Sequence, residues 1–177
     1  MKKNLHYLLL LFVIIAFSAC SGKTSKEGEP GNILKSSDLE NEGWMNQNTL
    51  SRDVAHSGEF SSKLDSTNEY SYGYSNTFNH LGDTLPTSVD VSVWIYSPQL
   101  KINGSIVLSI DSVNKHIYWT GLLIKDSIKA VNQWQEIKAT FEIPKKILPT
   151  DNLKIYVLNP DKIKFYMDDI KLLFHCN

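Results

Sequence analysis

The sequence lacks the charge excess and the catalytic motifs that mark several large classes of protein. It carries 18 basic and 19 acidic side chains in 177 residues, a formal net charge of −1, whereas nucleic-acid binding needs a basic patch. It has neither a Gly-x-Ser-x-Gly nor a His-Glu-x-x-His motif, and both are signatures of common hydrolases. The histidines His56, His80, His116 and His175 show no metal-ligand spacing. We therefore expect neither an enzyme nor a nucleic-acid partner.

The sequence also lacks an apolar run long enough to span a bilayer, which takes about 20 residues. The longest run, Leu8 to Phe17, is shorter than that and follows Lys2 and Lys3. The small residues Ser18 and Ala19 come next, directly before Cys20. A charged start, a short apolar middle and a small-residue cleavage site are typical of an export signal.

The segment Ala16-Phe17-Ser18-Ala19-Cys20 resembles a bacterial lipobox. The resemblance implies that residues 1–19 are a signal peptide and that Cys20 carries the lipid of a lipoprotein, palmitate included. It also implies a cell-envelope location outside the cytoplasm, at the outer membrane or the cell surface. Each buried CH₂ of a lipid chain adds about 0.8 kcal/mol to membrane binding. The alternative is an ordinary cleaved signal followed by an unmodified cysteine.

Cysteine is scarce, with only Cys20 and Cys176 in the chain. If Cys20 carries lipid, no intrachain disulfide is possible, and the fold depends on packing alone or on packing with a metal. Residues 21–31 contain no apolar side chain, so we interpret 20–31 as the lipidated cysteine and a flexible tether. Removal of 1–19 takes away Lys2 and Lys3 and changes the net charge from −1 to −3.

Helical periodicity is almost absent from residues 32–175, and alternation of apolar and polar residues replaces it. In Thr87–Ser97, Val89, Val91, Val93 and Ile95 share one face. Asn103-Gly104 predicts a hairpin turn, because both residues accept positive φ. Strands are predicted at 32–35, 60–65, 70–78, 87–97, 106–111, 116–124, 133–143, 152–158 and 163–174. The expected fold is all-β, an antiparallel sandwich of eight or nine strands over 32–175.

The last predicted strand changes phase at Asp168-Asp169. Phe165 and Met167 belong to one phase and Ile170 and Leu172 to the other. A one-residue bulge would keep both apolar sets facing inward and would place an aspartate at the edge of the core. A buried carboxylate needs partners, and backbone amides, a lysine or a metal would each serve.

Several separated segments together resemble the carbohydrate-binding jelly rolls of the galactose-binding-domain superfamily. They are Asn32-Ile33-Leu34 with Asp38-Leu39-Glu40 and Trp44, Ala55-His56-Ser57-Gly58 with Ser62-Lys63-Leu64, Ser92-Val93-Trp94, Trp134-Gln135-Glu136-Ile137 with Phe141, and Phe165-Tyr166-Met167-Asp168-Asp169-Ile170. The resemblance covers nearly all of residues 32–173. It implies a jelly roll that binds glycans without catalysis.

The same resemblance implies one structural calcium ion. Its side-chain ligands would be Glu40 and Asp168, with backbone carbonyls near Ser57 and Lys63. Carboxylates and carbonyls are the oxygen ligands that calcium prefers. The alternative is that backbone amides or a lysine hold Asp168 without metal.

Aromatic residues on the polar phase of their strands are the candidate ligand-binding residues. They are Trp94, Tyr96, Trp134 and Tyr156, together with Trp119, which is next to Tyr118 so that one of the two faces away from the core. A pyranose stacks its C–H groups on such rings, and Asp90, Ser92, Glu136 and Lys138 would meet its hydroxyls. The alternative is that these rings cap the core, since large aromatics are mostly buried.

Two further function classes remain open. The sandwich face would dock a partner protein in a structural or interaction lipoprotein. A glycoside hydrolase, the least favoured reading, would need only two carboxylates about 5–10 Å apart.

Overall fold

The computed structural model describes residues 31–41 and 43–176 of the chain. The predicted signal peptide, Cys20 and residues 20–30 of the tether lie outside the described residues. Within the described residues, no helix has the length and apolar character needed to cross a membrane.

Ten strands of the described region form two antiparallel sheets, which confirms the all-β sandwich. The strands are β1 (Ile33–Ser37), β2 (Leu50–Ser51), β3 (Ser61–Leu64), β4 (Tyr74–Thr77), β5 (Ser88–Tyr96), β6 (Ser105–Ser112), β7 (Lys115–Leu123), β8 (Trp134–Glu142), β9 (Asn152–Leu158) and β10 (Phe165–His175). The six-stranded sheet has the order β2-β3-β10-β5-β8, with β1 also paired to β10. The four-stranded sheet has the order β4-β9-β6-β7. Two short 3₁₀ helices, Gln47–Thr49 and Phe78–His80, lie in connections between the described strands.

The alternating apolar residues form the core between the two sheets. In β5, Val89, Val91, Val93 and Ile95 are buried, while the residues between them are half-exposed. β9 shows the same pattern in the other sheet. Burying one such side chain contributes about 1.5–3 kcal/mol. The strands and the apolar core of the described residues lie within 33–175.

The predicted hairpin at Asn103-Gly104 is wrong. Residues 101–104 form no strand, and the chain passes there from β5 in one sheet to β6 in the other. The tight hairpin lies instead between β6 and β7, where Ser112 pairs with Lys115 around Val113 and Asn114. The dipeptide rule fails because only the segment after Gly104 forms a strand, β6, while the segment before Asn103 is part of the connection from β5.

The predicted bulge in β10 is confirmed. The pairing of β10 with β5 shifts register between Asp168 and Lys171, and Asp169 has a φ of 43°. Met167 and Ile170 are both buried, and Asp168 is fully buried between them. The bulge therefore keeps both apolar phases in the core and encloses a carboxylate.

The two ends of the described domain lie next to each other. A Cβ added at Gly31 would lie 3.0 Å from the carbonyl oxygen of Cys176. β1 pairs with the end of β10, Ile33 with Phe174. The chain thus enters and leaves the sandwich at one place.

Candidate functional site

The predicted ligand-binding aromatics do not form one platform. Trp94 and Tyr96 on β5 and Trp134 on β8 lie on the outer face of the six-stranded sheet. Trp119 on β7 and Tyr156 on β9 lie on the outer face of the four-stranded sheet. The prediction of a single surface is wrong because the two sheets are opposite layers of the sandwich.

On the six-stranded sheet, the aromatic rings pack against one another. The His56 ring stacks on Trp94, with centroids 3.8 Å apart and planes 17° apart, and meets Trp134 edge-on at 5.6 Å. Tyr96 lies 5.5 Å from Trp134 and 6.0 Å from Tyr166. We call these five residues the His56 cluster. Its rings have aromatic partners within the chain, but Trp94, Tyr96 and Trp134 make these contacts on the outer face of the sheet and do not cap the core.

His56 is held in place by the bulge of β10. Its Nδ1 lies 2.5 Å from Oδ2 of Asp169, and the Ser57 hydroxyl donates to Oδ1 of Asp169 at 2.7 Å. The turn that carries His56 is therefore attached by side chains to the strand carrying the bulge. Sequence reasoning placed His56 in this turn but gave no sign that its ring covers Trp94, because the two residues meet only through tertiary packing.

A groove of about 420 Å³ lies beside the His56 cluster on the same sheet. Trp94, Ser92 and Glu136 line it, together with Asp38 and Lys171. The Ser92 hydroxyl donates to Glu136 at 2.6 Å, and this bond together with Lys138 at 2.9 Å lowers the pKa of Glu136 despite burial. An adjoining hollow is lined by Asp90, Ser92, Glu136 and Lys138, the polar set predicted beside Trp94.

The predicted calcium ligands Glu40 and Asp168 both accept hydrogen bonds from one turn. Asp168 accepts from the amides of His56 at 2.7 Å, Ser57 at 3.3 Å and Asp169 at 2.7 Å. Burial raises the pKa of Asp168 to about 6, with the Asp169 charge adding to the effect and the amides opposing it. Glu40 accepts from the amides of Glu59 and Phe60, each at 2.8 Å.

These contacts are those of the metal-free alternative, in which amides satisfy the buried carboxylate. The Lys63 ammonium pairs with Asp53 at 2.9 Å. Within residues 31–41 and 43–176, no three His, Cys, Asp or Glu side chains converge in a way that could hold a metal. Two carboxylates are suitable calcium ligands, and calcium at Glu40, Ser57, Lys63 and Asp168 stays a prediction.

On the four-stranded sheet, three aromatic rings form what we call the aromatic row: Tyr70, Tyr156 and Trp119. Trp119 is 50% exposed and Tyr70 48% exposed. Tyr156 lies between them, meeting Tyr70 edge-on at 5.7 Å. Burial raises the pKa of the Tyr156 hydroxyl, while a hydrogen bond from Trp119 opposes the rise. The row thus crosses the sheet from β9 to β7 and leaves ring surface open to solvent.

The backbone beneath the aromatic row explains the position of the Trp119 indole. Val107 on β6 pairs with both Tyr156 and Gly121, and it is fully buried although it points outward. A Cβ at Gly121 would lie 3.2 Å from Cη2 of Trp119. The indole therefore extends over the space that glycine leaves, and the row covers Val107.

Tyr70 was not predicted as a site residue. The predicted strand 70–78 placed it on the same face as Tyr72, which is a core residue. Regular pairing begins only at Tyr74, and Tyr70 makes an isolated bridge to Leu158. Nothing in the sequence distinguishes Tyr70 from Tyr72, since the two tyrosines flank Ser71 and have the same strand phase.

A polar group lies beside the aromatic row on the same face. Asp111 on β6 accepts from Lys154 of β9 at 3.0 Å and from His116 of β7 at 2.8 Å. Burial raises the pKa of Asp111, but the two hydrogen bonds outweigh it, so the pKa is lowered. We call these three residues the Asp111 network. Lys154 and Tyr156 are two residues apart on one strand, about 7 Å.

The row and the network together have the chemistry of a glycan-binding surface. Exposed rings stack on the C–H faces of pyranoses, and charged side chains alongside donate to and accept from hydroxyl groups. The polar groups are held by one another before a ligand arrives, which reduces the entropy lost on binding.

No protein-family model matches the chain, and no curated protein matches it. Among solved structures, the chain is similar to the CBM22-1 xylan-binding domain of Paenibacillus barcinonensis Xyn10C, with 13% identity, 85% of this chain and 99% of that chain covered, and a TM-score of 0.52. It is also similar to the CBM22-2 xylan-binding domain of the same protein, with 20% identity, 81% and 99% covered, and a TM-score of 0.47. The first of these likenesses shows that the fold is the jelly-roll sandwich of carbohydrate-binding modules.

Proposed function

We propose that the protein is a non-catalytic glycan-binding lipoprotein that binds its ligand on the outer face of the four-stranded sheet. The observation that carries this proposal is the aromatic row beside the Asp111 network. Exposed tryptophan on an open sheet face costs solubility unless a ligand covers it. In the His56 cluster, in contrast, Trp94, Tyr96 and Trp134 are half-buried and each ring packs against another ring of the chain.

The arrangement favours a chain of sugars over a single sugar. Tyr156 and Trp119 lie on β9 and β7, which flank β6, so the strands that carry them are roughly 10 Å apart. One pyranose does not span two such rings. An extended glycan lying across the strands would contact both.

The test is binding of the fragment from Ser21 onward to a glycan array, followed by calorimetry with soluble oligosaccharides. Xylan is the first polysaccharide to include, since the similar domains are described as xylan-binding. Trp119→Ala should lower the affinity by about 1–3 kcal/mol, which is the range for a well-packed aromatic contact in an interface. Trp119→Phe keeps a ring and should lose less.

Trp94→Ala is the matched control on the opposite sheet. Circular dichroism on each variant separates loss of binding from loss of fold. If Trp119→Ala binds as the parent does and Trp94→Ala does not, the ligand site is the groove of the six-stranded sheet and the proposal for the aromatic row is wrong.

We also propose that lipid on Cys20 anchors the domain to the cell envelope, facing away from the cytoplasm. The support is the lipobox-like segment ending in Cys20. Expression of the full chain with labelled palmitate should label the parent but not Cys20→Ser, and the parent should fractionate with membranes. An unlabelled parent would leave the ordinary cleaved signal as the interpretation.

A further inference from the structure

A small pocket lies at one end of the six-stranded sheet, with a volume of about 340 Å³. It shares no lining residue with the groove beside the His56 cluster. Four segments line it, namely the loop between β2 and β3 (Asp53, Val54), the end of β5 (Tyr96, Pro98), the connection between β7 and β8 (Asn132) and the start of β10 (Lys164, Tyr166). We call it the Asp53 pocket.

The acceptor of the pocket is the Asp53 carboxylate, which the chain holds in position. Its Oδ2 accepts from the Lys63 ammonium at 2.9 Å and from the Tyr166 hydroxyl at 3.0 Å. The bond from Lys63, followed by the bond from Tyr166, lowers the pKa of Asp53, so the carboxylate is ionised at neutral pH. Both partners bind Oδ2, and neither occupies Oδ1. An ionised carboxylate is a strong acceptor for a ligand hydroxyl.

The donors of the pocket are Asn132 and Lys164. The Asn132 amide group is oriented by the Tyr96 hydroxyl, which donates to its Oδ1 at 3.4 Å, and its backbone N–H donates to the Ser97 carbonyl at 2.8 Å. The φ of Asn132 is 56°, a left-handed conformation in which asparagine is enriched. Its Nδ2 donates to no described residue. Lys164 is exposed and forms no ion pair with a described residue.

The two sides of the pocket belong to one connected set of side chains. The rings of Tyr96 and Tyr166 meet edge-on at 6.0 Å, and each hydroxyl binds a polar group of the pocket, Asn132 and Asp53 respectively. The polar groups are therefore positioned before a ligand arrives, which reduces the entropy lost on binding.

The chemistry of the lining identifies the class of ligand. Hydroxyl groups can donate to Asp53 and accept from Asn132 and Lys164, while C–H groups contact the apolar surface of Val54 and Pro98. A sugar ring carries both kinds of group. The volume is near the lower end of the range for small-molecule pockets, about 300–1,000 Å³, which suits one ring and not an extended chain.

We propose that the Asp53 pocket binds a single neutral sugar unit, at the end or on a side branch of a glycan. Asp53 accepts from its hydroxyls, and Asn132 and Lys164 donate to them. The aromatic row lies on the outer face of the opposite sheet, so the domain can hold two glycan segments on opposite sides. The pocket uses no residue of the row and does not rest on the proposed function.

The test is an NMR titration of the ¹⁵N-labelled fragment from Ser21 onward, which contains every described strand. The probes are D-xylose, D-glucose, D-galactose and D-mannose, each up to about 100 mM, a range that covers dissociation constants as weak as about 10 mM. At least one sugar should shift the backbone amide signals of Asn132 and Lys164. These shifts should persist in Trp119→Ala, whereas loss of oligosaccharide binding in that variant reports on the aromatic row, so either idea can fail alone.

Variants of the pocket then measure the role of each group. Asp53→Asn keeps the size of the side chain and should raise the dissociation constant of the sugar about 10- to 100-fold, the value of a hydrogen bond to a charged group. Lys164→Ala should raise it about 3- to 10-fold, because solvent screens an exposed ammonium. Lys146→Ala is the matched control, an equal charge change at an exposed lysine outside the pocket, and should bind as the parent does. The fingerprint spectrum of each variant checks its fold. The proposal is overturned if none of the four sugars shifts Asn132 or Lys164, or if Asp53→Asn and Lys164→Ala both bind as the parent does.

Discussion

Gly58 gives the sharpest test of how the turn between β2 and β3 is built. Its φ is 60°, and a Cβ there would overlap the Glu40 carboxylate. That carboxylate accepts from the amides of Glu59 and Phe60. Gly58→Ala therefore forces a side chain into the left-handed region, at about 1–2 kcal/mol, and displaces Glu40.

The displacement has its own cost. Each hydrogen bond from an amide to a carboxylate contributes about 1.5–3 kcal/mol. Because Glu40 is partly exposed, water replaces part of the lost hydrogen bonding. We therefore count the free energy of only one of its two amide hydrogen bonds. The total is roughly 2.5–5 kcal/mol. For a domain of this size that lowers the melting temperature by roughly 10 °C.

Urea unfolding followed by tryptophan fluorescence measures this loss. Gly43→Ala is the matched control, because a Cβ at Gly43 would have its nearest neighbour 3.8 Å away, at Nε2 of Gln47. In a Glu40→Ala background, Gly58→Ala should lower the free energy of unfolding only by the cost of the left-handed backbone conformation. Equal costs for Gly58→Ala with and without Glu40 would refute the role given to the carboxylate.

Three further outcomes follow from the same residues. A structural calcium ion predicts a melting temperature that falls when chelator is added, and an unchanged midpoint would show that no metal stabilises the fold. The pKa of Asp168 is about 6 in the folded state against an ordinary 3.8. Asp168 therefore contributes about 3 kcal/mol to the free energy of unfolding below pH 4, and this contribution is lost as the pH rises through 6. Asp168→Asn should remove this slope between pH 4 and 7 in urea titrations, and an unaltered slope would contradict the burial argument. Trp94→Ala should lower the free energy of unfolding by about 1–3 kcal/mol, because it removes a half-buried ring that stacks on His56, and a loss below about 0.5 kcal/mol would show that the stacking contributes little.

Local alternation predicted most of the fold. The strand β5 and the bulge at Asp168-Asp169 follow from side-chain phase alone, because a buried face fixes which residues point inward. Phase does not say which sheet a strand joins. Trp119 and Tyr156 therefore appeared equivalent to Trp94 in the sequence, although long-range pairing of β6 with β7 and β9 puts them on the other side of the molecule.

The candidate site was harder to predict than the fold for the same physical reason. The sequence identified the outward aromatics but not which of them the chain itself covers. His56 lies 38 positions before Trp94 in the chain, and only tertiary packing brings the two rings to 3.8 Å. Tyr70 was not predicted as a site residue because β4 begins four residues later than the alternation pattern indicated, which leaves Tyr70 outside the strand.

The closeness of Gly31 and Cys176 means that the described domain forms a nearly closed loop. A few added residues would join the two ends, and new ends could be opened at Val113-Asn114, an exposed tip between two strands. Such a circularly permuted chain would keep every strand pairing while presenting its tether from the opposite side of the hairpin. The same closeness would allow the whole domain to be inserted into a surface loop of another protein without pulling that loop apart.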